Sequence, residues 1–282
     1  MISVIVPVRN GMPWLEQQLR ALTEQQCQEP WEVIVADNGS TDDSRLVVQE
    51  WANDSDMIRL VDASKAKGAG ATRNVGVVAA QGELLAFCDS DDVVQPGWLT
   101  AHVLALAEAD ASGGVVDFWS LNGLAAPSPP SYAAPPAMSQ FGFLPAAMSC
   151  NLAVRRRAFE DLGGFAKDLM TGEDYDLCWR LQLAGHRYVL SSDAVIARRE
   201  RQGFRAVLSR FTAYGRSGPA LYRRFRADGL KSDLAIAAKT WAWLVLSMPR
   251  LMQPEFRDRW ARIAGWRTGR LVESVRQRVL FL

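Results

Sequence analysis

Strand-length apolar runs alternate with helix-period segments over residues 3–108, and no other feature of the chain restricts its fold as much. Residues 3–6, 31–36, 57–61 and 84–88 read as strands. Between them, residues 13–24 place Trp14, Leu15, Leu19 and Leu22 at amphipathic spacing. A second helix, capped by Ser40 or Thr41, runs to about Asn53, and a third covers 70–80. Strands and helices alternating at this spacing imply right-handed βαβ crossovers, hence an α/β fold with a largely parallel sheet covered on both faces. Such sheets bind ligands beyond the carboxyl ends of their strands. A site is therefore expected in the polar stretches at 7–10, 37–42, 62–67 and 89–92.

The last of these is the most pointed. The apolar run Leu84-Leu85-Ala86-Phe87-Cys88 stops at Asp89-Ser90-Asp91-Asp92, three carboxylates in four positions. Acids crowded at one sheet edge are costly unless a cation neutralises them, and hard ions such as Mg²⁺ or Mn²⁺ take carboxylate oxygens together with substrate phosphates. The alternative is a solvated acidic turn ahead of the helix predicted over 96–108.

Beyond that helix, 115–121 reads as a strand and the proline-rich stretch 125–137 as a loop or extended arm, either mobile or a lid. A strand at 148–154 and a short helix at 155–162 follow. Residues 172–181 then open a helix with Glu173, Asp174 and Asp176 in its first turn, where the helix dipole tolerates acids. The four cysteines lack metal-site spacing and read as reduced core thiols. His102 and His186 are too few and too far apart for a metal site, and read as surface or partly buried helical residues. No basic n-region precedes the apolar start, so no secretory leader is expected.

Five separated segments share an order that resembles the family 2 glycosyltransferases, inverting enzymes of GT-A fold. They are Val4-Ile5-Val6-Pro7-Val8-Arg9-Asn10, Ala36-Asp37-Asn38-Gly39-Ser40-Thr41-Asp42, Ala71-Thr72-Arg73-Asn74-Val75-Gly76, Asp89-Ser90-Asp91-Asp92 and Gly172-Glu173-Asp174. The resemblance spans roughly residues 1–195. It implies that Pro7 and Arg9 line the first nucleotide loop, that Asp37 meets the nucleobase, and that Arg73 lies near the base or phosphates. It further implies that Asp89 and Asp91 form the DxD motif, Asp89 near the ribose and Asp91 on a Mn²⁺ or Mg²⁺ ion, with Asp174 as general base.

Glu173 is the competing base and an acceptor-side contact. Trp98 either stacks on an acceptor sugar or fills the core, and Asp92 caps or supports its neighbours. The processive members' QxxRW motif is not reproduced, since Gln182 follows Trp179-Arg180. The expected activity is therefore hexosyltransferase-type transfer of one sugar from a nucleotide-diphosphate sugar, a UDP-sugar favoured, to an acceptor hydroxyl. The alternatives are a sugar-nucleotide nucleotidyltransferase, although Pro7-Val8-Arg9-Asn10-Gly11 is not its glycine-rich basic loop, or a non-catalytic nucleotide-binding subunit docked on a membrane.

The expected organisation is a catalytic domain at 1–198, with a donor half at 1–115 and an acceptor half at 116–198, followed by a helical tail at 199–282. From Arg198 onward there are 19 Lys and Arg against 6 Asp and Glu, so a net charge of +1 divides into −12 and +13. Helices are predicted at 203–214, 220–227, 234–248 and 255–282, mixing arginine with tryptophan. The apolar 234–248 is short for a membrane span. Such a tail suits an anionic membrane surface, at about 1 kcal/mol per nearby Lys or Arg, or packs on the catalytic domain or a second copy. The favoured reading is a cytoplasmic enzyme held peripherally on the inner face of the cell membrane, with a lipid-linked acceptor in polysaccharide or glycolipid assembly. It leaves room for an oligomer and expects no nucleic acid.

Overall fold

The computed structural model describes residues 1–123 and 141–282, which form two compact units, one of 1–123 with 144–200 and the other of 141–143 with 201–282. The proline-rich stretch 125–137 lies outside the described residues.

The first unit is built as β1 (Ile2–Val8), α1 (Leu15–Thr23), β2 (Trp31–Asp37), α2 (Ser44–Asp54), β3 (Ile58–Asp62), α3 (Ala69–Ala79), β4 (Leu84–Phe87), β5 (Val93–Val94), α4 (Trp98–Glu108), β6 (Ala111–Asp117), β7 (Leu152–Arg155), α5 (Arg156–Asp161), α6 (Glu173–Leu183) and β8 (Tyr188–Ala197). One eight-stranded sheet runs β3-β2-β1-β4-β7-β6-β8-β5. The first four strands in that order are parallel, β4–β7 and β6–β7 antiparallel, and β6–β8 parallel. Strands buried on both faces need apolar side chains throughout, and β1 and β2 supply them: Val4, Ile5, Val6, Val33, Ile34 and Val35 are wholly buried. Parallel pairing sends the ends of β1, β2, β3 and β4 to one edge, where the loops that follow them gather.

Four expectations change, for one strand, one helix cap and the two histidines. The strand predicted at 115–121 lies earlier, because β6 contains Ser112-Gly113-Gly114 and lacks the apolar run that marks a strand. Glycine is required there by packing: a Cβ on Gly113 would collide with the Tyr188 hydroxyl, and one on Gly114 with the Asn151 amide. The helix after β2 starts at Ser44, with neither Ser40 nor Thr41 as its cap, because both face the Asn10 loop. His102 is fully buried on α4, with Nδ1 on Ser112 Oγ at 3.1 Å and Nε2 on Asn151 Oδ1 at 2.9 Å, and desolvation lowers its pKa to about 4. His186 follows α6 outside any helix. The donor–acceptor boundary at 115 falls inside β6, and the sheet continues across it. All four cysteines are free thiols, three of them buried.

The second unit is helical: α7 (Phe204–Gly215), α8 (Ser217–Phe225), α9 (Leu234–Leu246), a 3-10 turn (Met248–Met252) and α10 (Pro254–Gln277). Helices α7 and α10 meet through glycines. A Cβ on Gly265 would stand 2.6 Å from the Leu208 carbonyl oxygen, one on Gly269 would collide with that of Thr212, and one on Gly215 with that of Trp266. Only hydrogen side chains permit two backbones to lie so close. Around this seam Phe211 packs on Trp266 and Phe204 stacks on Trp260, while the C-terminal Phe281 stacks on Tyr222. Arg267 ties α10 to α9 through Thr240 Oγ1 at 3.0 Å. No described helix is long and apolar enough to cross a membrane.

Candidate active site

The loops after β1 and β2 are laced together. Asn10 adopts a left-handed conformation (φ 54°), its N–H donates to Ser40 Oγ at 2.9 Å and its Oδ1 accepts from Thr41 N at 2.8 Å. Asp37 ends β2 beside Val8. Its wholly buried carboxylate accepts from Ser40 N at 3.1 Å and from Arg45 Nη1 at 2.8 Å. Pro7 is half-buried in the adjoining strand end and Arg9 is exposed beyond it.

Arg73 on α3 is the centre of the acidic cluster. Its side chain is 2% exposed; Nη2 is paired with Asp89 Oδ1 and Nη1 with Glu173 Oε1 at 3.2 Å. The two terminal nitrogens of Arg73, expected near the base or phosphates, serve carboxylates in this structure, one from the loop after β4 and one from α6. Glu173, expected on the acceptor side, turns its carboxylate onto Arg73 and is 9% exposed. Burial, with Asp174 beside it, raises the Glu173 pKa to about 7.

Helix α6 begins after Gly172, whose φ of 80° suits a residue without Cβ. Of its first-turn acids, Glu173 pairs with Arg73 and Asp176 with Arg180 Nε at 2.8 Å. Asp174 is the partly exposed one. Its Oδ1 accepts from Tyr175 N at 2.9 Å and its Oδ2 from Ser149 N at 3.3 Å, and desolvation raises its pKa. A carboxylate so held takes a proton more readily than a free one.

Asp91 is exposed on the loop after β4, while Asp92 is buried, with Oδ1 accepting from Arg199 N at 3.0 Å. Asp92 Oδ2 is buried without a hydrogen-bond partner among the described residues, and desolvation with the charge of Asp89 pushes its pKa well up. Ligand atoms of Asp89, Asp92 and Cys150 lie within 4.8 Å of one another. Two carboxylates, one of them with an orphaned oxygen, fit a hard divalent ion. Cys150 does not, since burial raises its pKa well above the usual thiol value and the thiolate is the ligand form.

Trp98 is wholly buried, its indole N–H donating to Asn151 Oδ1 at 2.8 Å, which removes it from the acceptor contacts and leaves it in the core. Asn151 was not legible as important. It bonds Trp98 and His102 through Oδ1, and the Val115 and Ala194 carbonyls through Nδ2 at 2.7 and 2.9 Å. It thereby seats the segment that carries Ser149 and Cys150. Nothing in the sequence around it separates it from a surface amide.

A mixed sheet with acids gathered where its parallel strands end, flanked by an antiparallel strand and a second acidic helix, defines a GT-A fold. The chain belongs to glycosyl transferase family 2, whose sequence profile matches residues 3–163. Glycosyltransferase AglE of Haloferax volcanii is 30% identical over 198 residues, 69% of this chain and 65% of that protein, so the chain spans less than two thirds of that relative's length. The mannosyltransferase PcManGT from Pyrobaculum calidifontis, solved with GDP-Man and Mn²⁺, superposes with a TM-score of 0.67 at 20% identity, covering 96% of this chain and 86% of that one. Residues 1–349 of S. aureus TarS, solved with UDP-GlcNAc, superpose with a TM-score of 0.56 at 22% identity over 100% of this chain and 93% of that one. At these identities the structures speak for the fold.

Proposed function

We propose that the protein transfers one sugar, with inversion, from a nucleotide-diphosphate sugar to an acceptor hydroxyl, using Asp174 as general base. The observation that carries this reading is the Asp89–Arg73–Glu173 chain of ion pairs, which brings the loop after β4 and the start of α6 into one cluster with Asp174 beside it. In this reading Pro7, Arg9 and Asp37 receive the nucleoside, Asp89 lies by the ribose, and Asp91 holds Mn²⁺ or Mg²⁺ beside the buried carboxylate of Asp92. The ion, when bound, offsets charge developing on the diphosphate leaving group. Asp174 removes the proton of the attacking hydroxyl from the opposite face of the sugar. Family membership favours this over nucleotidyl transfer. PcManGT and TarS were solved with GDP-Man and UDP-GlcNAc, so both bases are worth trying and a UDP-sugar is the first choice. The basic helical unit supports an acceptor carried on lipid at a membrane surface.

The test is thermal stabilisation by UDP, GDP, dTDP and CDP with and without Mn²⁺, on wild type, Asp91→Ala and Asp174→Asn, followed by transfer assays with the diphosphate sugar of whichever base binds. A ligand that binds only the folded state raises its melting temperature. One diphosphate should stabilise wild type and Asp174→Asn alike, need Mn²⁺, and lose its effect in Asp91→Ala. Transfer should fall about 10²–10⁴-fold in Asp174→Asn. Unchanged transfer in that variant refutes the assignment of the base.

A further inference from the structure

The interleaved arginine and tryptophan of the C-terminal helices, which from sequence alone suit an anionic surface, largely satisfy one another. Trp243 packs on Phe256 and lies under Arg259, Trp266 lies under Arg270, and Phe211 under Arg262. Trp260 donates its N–H to the Leu244 carbonyl at 3.1 Å. Among the apolar side chains still turned outward, alongside Val272, Val275 and Leu280 at the C-terminal end, are those of one side of α9. Leu234, Ala238, Ala242 and Val245 are spaced by four, four and three residues, which aligns them on a single helix face, and all are exposed. Val245 is 63% and Leu246 80% exposed, and the 3-10 turn that follows exposes Met248 at 53% and Met252 at 82%. Apolar side chains clustered on a surface in this way mark an interaction site.

The geometry points to an anionic phospholipid surface as the partner of this α9 face, with the helix lying flat in the headgroup region. Thirteen residues reach about 20 Å, against about 30 Å of hydrocarbon, so the helix is too short to cross and suited to lying in the interface. Exposed Lys231, Lys239, Arg250 and Arg257 belong to the same stretch of chain. Asp233 is occupied as the helix cap, accepting from Ile236 N at 2.9 Å. Residues 201–282 carry 17 Lys and Arg against 5 Asp and Glu. That charge complements an anionic headgroup layer. It opposes a second copy of the chain, since a self-complementary contact would set basic rim against basic rim. The inference rests on the membrane part of the proposed function and is independent of the transfer chemistry.

Sedimentation of the full chain with vesicles of phosphatidylcholine alone, and of phosphatidylcholine with 30% phosphatidylglycerol, tests it. The comparison is between wild type and the surface variant Val245→Glu/Leu246→Glu. Wild type should bind the anionic vesicles at least tenfold more tightly than the neutral ones, and 0.5 M salt should weaken that binding. The double variant should lose anionic-vesicle binding at least tenfold while its nucleotide-induced melting shift stays as in wild type, which separates this face from the donor site. Three results overturn the proposal: no binding of wild type to anionic vesicles, equal binding to both compositions, or undiminished binding by the double variant. Sedimentation equilibrium adds a fourth, a wild-type dimer that the double variant dissolves while vesicle binding persists.

Discussion

Replacing Arg73 by glutamine should cost about 3–5 kcal/mol of folding stability, the range for removing one partner of a buried ion pair and leaving the other uncompensated. Two carboxylates are stranded rather than one, but they are stranded unequally: the Glu173 side chain is 9% exposed and that of Asp89 29%. Asp89 can turn toward water, which places the loss toward the lower end. At roughly 2–4 °C per kcal/mol for a unit of this size, the melting temperature should fall by about 6–12 °C. The loss should also depend on pH. Arg73 opposes the upward displacement of the Glu173 pKa, so the variant's Glu173 protonates more readily still, and the difference from wild type should be smaller at pH 5 than at pH 8. Urea unfolding at both pH values reads this directly. Arg73→Lys keeps the charge without the two-pronged geometry and should fall between the two. A glutamine variant within about 1 kcal/mol of wild type at pH 8, or one with the same loss at both pH values, refutes the argument that Arg73 holds the acids together.

Wild-type stability should carry two opposed pH terms. Glu173 (folded pKa about 7) holds a proton that the unfolded chain releases near 4.5, so its contribution falls as pH rises from about 4.5 to 7. His102 (folded pKa about 4) stays neutral where the unfolded chain protonates near 6.5, so its contribution falls as pH drops from about 6.5 to 4. Urea titrations of Glu173→Gln and His102→Gln should therefore tilt the profile in opposite directions. Gly269→Ala would stabilise an open helix by up to about 1 kcal/mol. Against the Thr212 carbonyl it should instead destabilise by about 1–3 kcal/mol in thermal unfolding; stabilisation would show that α7 and α10 are not in backbone contact. Trp98→Phe keeps most of the buried ring but strips the donor from Asn151 Oδ1. It should cost about 1–2 kcal/mol while leaving nucleotide binding unchanged, whereas an acceptor-stacking tryptophan would show itself as a raised acceptor KM.

The parallel half of the sheet was legible because its physics is local. Strands buried on both faces must be apolar, as β1, β2 and β4 are, and the helices between them must carry a stripe. The antiparallel half was harder. β6 reads as a turn at Ser112-Gly113-Gly114 because its neighbours, not its own side chains, fill the space beside it. β8 carries Ser191-Ser192-Asp193 in mid-strand, and β5 is two residues long. In the site, the crowding of Asp89, Asp91 and Asp92 was legible from residue types, whereas Asp37 and Asp174 were singled out through the resemblance carried by the order of the five segments. What residue types do not say is where a side chain ends. Nothing in the sequence reveals that Arg73 ends on two carboxylates, 16 and 100 residues away. Glu173 and Asp174 are indistinguishable until helix phase turns one inward. Trp98 and His102 converge on Asn151 from a helix that sequence alone cannot rotate.

The glycine seam has a mechanical consequence. With Gly215, Gly265 and Gly269 removing the side chains between them, α7 and α10 should breathe together, and their amide protons should be among the last of the helical unit to exchange. Helix α9 is held differently. Its buried apolar anchors are Ala237 and Leu244, with the Arg267 bridge to Thr240 beside them. With Trp243 on Phe256 and the Trp260 N–H on the Leu244 carbonyl as its other ties, it still lacks a backbone-to-backbone seam among the described residues. The helical unit thus pairs a stiff spar with a more lightly seated blade, and hydrogen exchange should find α9 opening before α7 and α10 do.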